Sequence, residues 1–220
     1  MSLILVIGNK NYSSWSLRPW IAMTAAGIPF AERLVPFETP EFKRDAGPAA
    51  KVPLLIDGDI RVWESLAILE YLAERFPDAQ LWPADVAARA HARAVASEMH
   101  AGFAALRGHL PVNFARRIIA RPLTPAAADD VTRLEAMWAE CRARHGGPFL
   151  FGGTFGAADA MYAPVVSRFH TYAVDVTPAT RAYMDAVMAL PAWRQWRDDA
   201  VKEPWLFAED EVDWPQVHRA

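Results

Sequence analysis

Apolar and polar positions divide the chain into two unlike parts. Residues 3–7, Leu-Ile-Leu-Val-Ile, form a continuous apolar run of strand length. Such a run suits a strand buried on both faces. Gly8-Asn9-Lys10-Asn11 is turn chemistry. The segment Y-S-S-W-S-L-R-P-W-I-A-M-T-A-A-G then predicts a helix. Ser16 is its expected N-cap, Pro19 is expected within its first turn, and Gly27 ends it. Residues 30–36 predict a second strand. Residues 37–50, broken by Pro40, Gly47 and Pro48, predict a short helix within an irregular loop. Two apolar runs, 54–56 and 60–63, flank Asp57-Gly58-Asp59. Asp-Gly in that setting signals a hairpin, because Gly accepts φ > 0 without a Cβ clash. From Glu64-Ser65 the apolar period changes to three and four residues, with Leu66, Leu69, Leu72 and Phe76, so a helix follows.

Residues 77–84, which contain Pro77 and Pro83, read as a linker. Beyond them the pattern is helical almost throughout. One long helix is expected over 85–110, stopped by Pro111, and another over 125–144, stopped by Gly146-Gly147-Pro148. A buried helix is expected in the stretch 149–168, with Gly156 at the cap and Asp159 three residues on. A further helix is expected over 178–198, and the tail 203–220 carries Trp205, Phe207 and Trp214, able to pack back on the domain. This pattern predicts a mixed α+β domain over 1–78, a linker over 79–84 and an all-helical domain over 85–220.

Composition narrows the classes. Of 220 residues, 53% are hydrophobic and 22% charged, an ordinary folded-protein balance. The net charge of −3, with no basic block, argues against nucleic acid as partner. No apolar run nears the roughly 18 residues that span a bilayer, so no membrane partner is expected. The first residues lack a basic n-region and cleavage site, so the expected location is cytoplasmic. Cys141 is the single cysteine, on the apolar stripe of the 125–144 helix, and reads as a buried apolar residue. His91, His100 and His109 are spaced by nine. His91 and His109 share a face but lie roughly 27 Å apart on a helix, and no metal site is expected.

The string V-P-L-L-I-D-G-D-I-R-V-W-E-S at 52–65, after Lys51, resembles the glutathione-binding half of the glutathione S-transferase superfamily. The resemblance implies a thioredoxin-like N-terminal domain followed by an all-helical bundle. It implies that Pro53 is cis and that Val52 offers free backbone groups to glutathione. It implies that Glu64 and Ser65 hold the γ-glutamyl end, and that Lys51 pairs with another carboxylate. Glu-Ser taken alone is an ordinary helix start. Ser13 and Ser14 are similar in position to the catalytic serine of the zeta class; Ser13 is preferred, with Ser14 one residue later. Neither is Cys, which argues against the dithiol chemistry of glutaredoxins. Trp15 is expected beside glutathione, and Met99, Phe103 and Arg107 beside a second substrate. The G-G-x-x-G run at 152–156 is not a dinucleotide fingerprint, since no βαβ unit surrounds it. There is no G-x-S-x-G for a serine hydrolase.

The implied activity is conjugation of glutathione, as co-substrate, to a small hydrophobic electrophile, in a homodimer. Two alternatives stand beside it. One is glutathione-dependent isomerisation of a maleyl-type diacid, against which the zeta run Ser-Ser-Cys-Ser reads Ser13-Ser14-Trp15-Ser16 here. The other is a non-catalytic, regulatory binding protein on the same fold.

Overall fold

A computed structural model of the chain describes residues 3–47 and 50–220. The expected break at Pro48 lies outside them. The apolar run at the start forms β1 (Leu3–Ile7), which lies inside a four-stranded sheet of order β2-β1-β3-β4. β2 (Phe30–Leu34) runs parallel to β1, with Leu3 opposite Phe30 and Ile7 opposite Leu34. A parallel pair needs a crossover, and α1 (Ser14–Ala25) supplies it. β3 (Leu54–Asp57) pairs antiparallel with β1, and β4 (Ile60–Trp63) antiparallel with β3. The Asp57↔Ile60 pair leaves Gly58-Asp59 as the hairpin loop, and Gly58 takes φ +59° as the sequence requires. A short α2 (Pro40–Asp45) sits in the 37–50 loop, and α3 (Ser65–Arg75) follows the hairpin.

The rest is helical: α4 (Val86–Ala101), α5 (Ala104–His109), α6 (Pro125–His145), α7 (Ala157–Thr171), α8 (Pro178–Met188) and α9 (Pro191–Ala200). Helix α7 is buried along nearly its whole length. It packs on both α1 and α4, so one apolar core runs from the sheet into the helices. No helix among the described residues is long and apolar enough to cross a membrane.

Four expectations need correction. Helix α1 is capped by Ser13, whose hydroxyl accepts the Ser16 N–H, and Ser16 is the third helical residue. Pro19 therefore lies inside the helix rather than in its first turn, where the Trp15 carbonyl has no proline N–H to accept. The helix expected over 85–110 is two. Gly102 is extended, a Cβ there would stand 2.8 Å from the Glu98 carbonyl oxygen, and Phe103 takes the left-handed conformation at φ 58°. The new start is held from α6, where Asp130 accepts the Leu106 N–H at 2.9 Å. The helix expected over 178–198 is also two, because Pro191 begins α9 and cannot continue α8.

Gly156 at the cap of α7 has a packing reason. A Cβ there would stand 3.0 Å from the Leu81 carbonyl oxygen. That carbonyl accepts the Ala157 N–H at 2.8 Å, so the Leu81 main chain satisfies one of the free N–H groups at the helix start. Asp159 accepts the Gly156 N–H at 3.0 Å and the Leu150 N–H at 2.9 Å. Its role is structural. Cys141 is buried, and burial pushes its thiol up to about 12, so it is not a nucleophile.

Candidate active site

The turn at 8–13 carries the serines to one end of a cleft of about 680 Å³. This turn is pinned from several directions. Asn9 Oδ1 accepts the Phe37 N–H at 2.8 Å. Asn11 Oδ1 accepts the Ala115 N–H at 2.7 Å. The Glu203 carboxylate, from the tail, accepts the Lys10 and Asn11 N–H groups at 2.7 and 3.1 Å. Lys10 pairs with Glu32 and Asp199 at 2.9 and 2.8 Å. The tail thus does pack back, and it holds the serine turn from behind.

Ser13 and Ser14 both line the cleft and are both nearly buried. Their surroundings differ. The Ser13 hydroxyl lies 2.7 Å from Ser16 Oγ, which also accepts the Gly8 N–H at 3.1 Å. Ser14 is the first residue of α1 and its hydroxyl has no protein partner among the described residues. Tyr12 lies beside them, but its hydroxyl donates to Glu211 at 2.7 Å. Burial, then that carboxylate, raises the Tyr12 pKa, so its proton is committed to the tail.

The hairpin brings Lys51, Val52, Pro53 and Glu64 to the same cleft. The Val52–Pro53 peptide is cis, as the resemblance implied. Among the described residues no turn or loop hydrogen bond takes up the Val52 N–H or C=O. Glu64 has φ 68° and ψ 127°, a conformation that costs a non-glycine residue about 1–3 kcal/mol. Its side chain is about half exposed, 3.9 Å from His100 Nε2. Burial, then Arg18, lowers the His100 pKa. Ser65 is fully buried, with its hydroxyl 3.9 Å from Met161 Sδ, and does not line the cleft. A thioether is a weak acceptor.

Trp15 is half-buried on the cleft wall. The guanidinium carbons of Arg18 and Arg107 lie 4.1 and 4.7 Å from its ring centroids, and the His100 ring meets it edge-on at 5.3 Å. Arg107 lines the cleft. Met99 and Phe103 do not: Met99 is fully buried in the core, and the helix break turns Phe103 into it. In their place stand residues that sequence reasoning missed, among them Tyr12, Phe37, Trp63, Arg168 and Asp210. Arg168 and Asp210 lie 61 and 103 positions beyond Arg107, and no local pattern joins them. Burial lowers the Arg168 pKa to about 10, and burial raises the Asp210 carboxyl to about 6.

Known proteins resemble this chain. The family model described as "Glutathione S-transferase, N-terminal domain" matches residues 12–75, and that described as "Glutathione S-transferase, C-terminal domain" matches residues 88–199. A probable maleylacetoacetate isomerase of Caenorhabditis elegans is 29% identical over 186 residues, covering 77% of this chain and 79% of that protein. A maleylpyruvate isomerase of a Ralstonia species is 29% identical over 203 residues, covering 84% and 95%. Among solved structures, a glutathione transferase homolog from Burkholderia with bound glutathione superposes with a TM-score of 0.70 at 22% identity, covering 91% of this chain and 98% of that one.

Proposed function

Since the chain belongs to the glutathione S-transferase family, we propose that it activates glutathione as the thiolate at Ser13 for attack on a small electrophile with an apolar body. The observation that carries this reading is the serine turn: a hydroxyl at the N-terminus of α1, on the same cleft as Val52 and Glu64. Ser13 is not the nucleophile; it donates to the glutathione sulfur. A free thiol titrates near 8.5, and lowering that by two units needs about 2.7 kcal/mol. A hydrogen bond to a charged group supplies about 1.5–3 kcal/mol, and a helix N-terminus about 0.3–1 kcal/mol more. In a substitution, sulfur forms the new C–S bond while the leaving group departs with its electron pair. The protein also supplies proximity.

The remaining roles follow the peptide. Val52 pairs with the cysteinyl backbone of glutathione as an added strand would. Glu64 meets the α-ammonium group. Ser65 and the first N–H groups of α3 meet the γ-glutamyl carboxylate, which displaces the weak Met161 contact. Lys51 meets the glycyl carboxylate, and Trp15 covers the tripeptide. The glutathione-binding domain ends near 78 and the helical domain begins near 85. The working state is a cytoplasmic homodimer with a detoxification role. A second reading, isomerisation of a maleyl-type diacid, is favoured by the two isomerases among the relatives.

Glutathione affinity by calorimetry, with an ultraviolet scan for bound thiolate, tests the proposal. We expect micromolar-to-millimolar binding that Ser65→Ala weakens, and thiolate absorbance near neutral pH that Ser13→Ala abolishes. No binding at millimolar glutathione would sink the enzyme reading and leave a regulatory member of the fold.

A further inference from the structure

One wall of the cleft carries charge that the thiolate chemistry does not use. Three arginines converge there. Arg18 is fully buried behind Trp15, Arg107 comes from α5 and Arg168 from α7. They repel one another: burial, then Arg168 and Arg107, lowers the Arg18 pKa, and burial, then Arg107, lowers that of Arg168. Gathered like charges are unfavourable unless an anion joins them.

Their hydrogen bonds are few. Arg18 Nε donates to the Met161 carbonyl at 3.2 Å, and both its Nη atoms lack a partner. Arg168 Nε donates to the Leu110 carbonyl at 2.7 Å, and its buried Nη1 lacks a partner. Arg107 Nη1 makes one long bond, 3.3 Å, to the Gly102 carbonyl. Two carboxylates line the cleft, Glu64 and Asp210. Among the described residues neither stands within ion-pairing distance of Arg107 or Arg168. A buried, unpartnered guanidinium is costly where no ligand meets it. Pro111 and Val112 beside these arginines are apolar.

We propose that the second substrate carries a carboxylate, held by Arg107 and Arg168, with its apolar body against Pro111 and Val112. The inference rests on the glutathione reading and narrows its substrate class. A guanidinium presents planar donors that match a carboxylate's two oxygens. A neutral electrophile would fill the same space and leave both cations unpaired.

The test uses the full chain, glutathione and a matched pair of acceptors, 3-benzoylacrylate and 3-benzoylacrylamide. In both, sulfur bonds to the alkene carbon β to the ketone. The π pair moves to the enolate, and solvent returns a proton. We expect kcat/KM, divided by the uncatalysed rate, to favour the acid by at least about tenfold. Arg107→Gln should cut that preference about tenfold through KM for the acid, with glutathione affinity held within about twofold. Arg168→Lys keeps a cation at the buried site but loses the planar fork, and should move the ratio the same way. Should that variant fail to fold, Arg107→Gln alone decides.

Equal turnover of acid and amide would overturn the inference and leave the transferase reading intact. Loss of glutathione affinity in Arg107→Gln, with the ratio unchanged, would assign the arginine to glutathione and also overturn it. If neither acceptor turns over, calorimetry with unreactive 3-benzoylpropionate and its amide separates the two ideas. Tighter binding of the acid, lost in Arg107→Gln, would support the anion site while the transferase reading falls. Equal binding would end the inference.

Discussion

The two walls of the cleft differ in how far their polar groups are satisfied. On the serine side most of the polar groups have partners, although the buried Asn9 Nδ2 has none among the described residues. Ser13, Ser16, Gly8, Asn9 and Asn11 share a hydrogen-bond set, and Glu203 and Lys10 tie it to the tail. On the helical side Arg168 keeps a buried nitrogen without a partner, as does Arg18 of α1 behind Trp15. A satisfied set is rigid before any ligand arrives. An unsatisfied one stands ready for charge that the chain does not itself provide. The comparison teaches that the two substrates are met differently. On the proposed function, glutathione would meet a pre-formed donor and an open stretch of backbone, whereas the second substrate would meet excess cation.

The most severe way to break this contrast is to loosen the helix that carries Arg168. Asp159, 1% exposed, accepts from the Leu150 and Gly156 N–H groups and from the Tyr183 hydroxyl at 3.2 Å. Asp159→Ala leaves two buried donors and one partly buried donor without an acceptor. We expect a loss of about 3–5 kcal/mol in urea denaturation. Under conditions where the variant stays folded, glutathione affinity should change little, because the serine turn does not touch α7 through Asp159. A loss under about 1 kcal/mol would mean that water replaces the carboxylate.

Next in size is the serine itself. Ser13→Ala should raise the bound thiol pKa by up to about two units, roughly 2.7 kcal/mol. It also removes a cap worth about 1 kcal/mol of stability. Ser14→Ala should do neither. Spectrophotometric titration of bound glutathione reads the pKa directly. The reverse pattern would move the donor role to Ser14, whose hydroxyl is free of protein partners.

The sequence and the structure agree best where the signal is local. Asp57-Gly58-Asp59, Pro53 and Glu64-Ser65 specify hairpin, bend and helix start within a dozen residues. Their placement on one cleft follows from the sheet they build. The helical wall was less legible because its determinants are distant. Gly102 read as one more residue of a long helix, yet the Glu98 carbonyl excludes a side chain there and Asp130 recaptures the chain. With the helix broken, Met99, Phe103 and Arg107 no longer lie along one continuous helix. Pro191 carried a readable stop that the apolar period masked. Arg168 and Asp210 carried no local signal, since only tertiary packing brings them beside Arg107. The strained φ of Glu64 was equally silent, because the usual marker for such a position is glycine.

A smaller test asks how the serine wall aims its proton. Two hydroxyls 2.7 Å apart share one bridging proton, which either can donate. If Ser13 donates, the proton of Ser16 lies in a fully buried place with no acceptor among the described residues. If Ser16 donates, the Ser13 proton is free to meet sulfur, and every group is satisfied. Ser16→Ala should therefore raise the bound thiol pKa by about one unit, roughly 1.4 kcal/mol. Ser16→Thr, which keeps the hydroxyl, should restore it. An unchanged pKa in Ser16→Ala would mean that Ser13 needs no orientation from its neighbour.

The effect that best separates the walls comes from Asp210. Its carboxyl titrates near 3.8 when exposed and is raised to about 6 in the fold, chiefly by burial, with Arg168 opposing the rise. The folded state therefore binds a proton between those values when the unfolded chain does not. Its contribution to stability is fully present below about pH 4 and is lost as pH rises through 6. Asp210→Asn has no charge to bury. The variant should match wild type near pH 4 and gain on it as pH rises to 7, read as urea midpoints along a pH series. On the serine wall, the Ser13→Ala stability loss should stay flat over the same range, since no titrating group is removed. An Asp210→Asn difference that is also flat from pH 4 to 7 would mean that Arg168 already neutralises this carboxylate. The helical wall would then lack the unpaired cation that sets it apart.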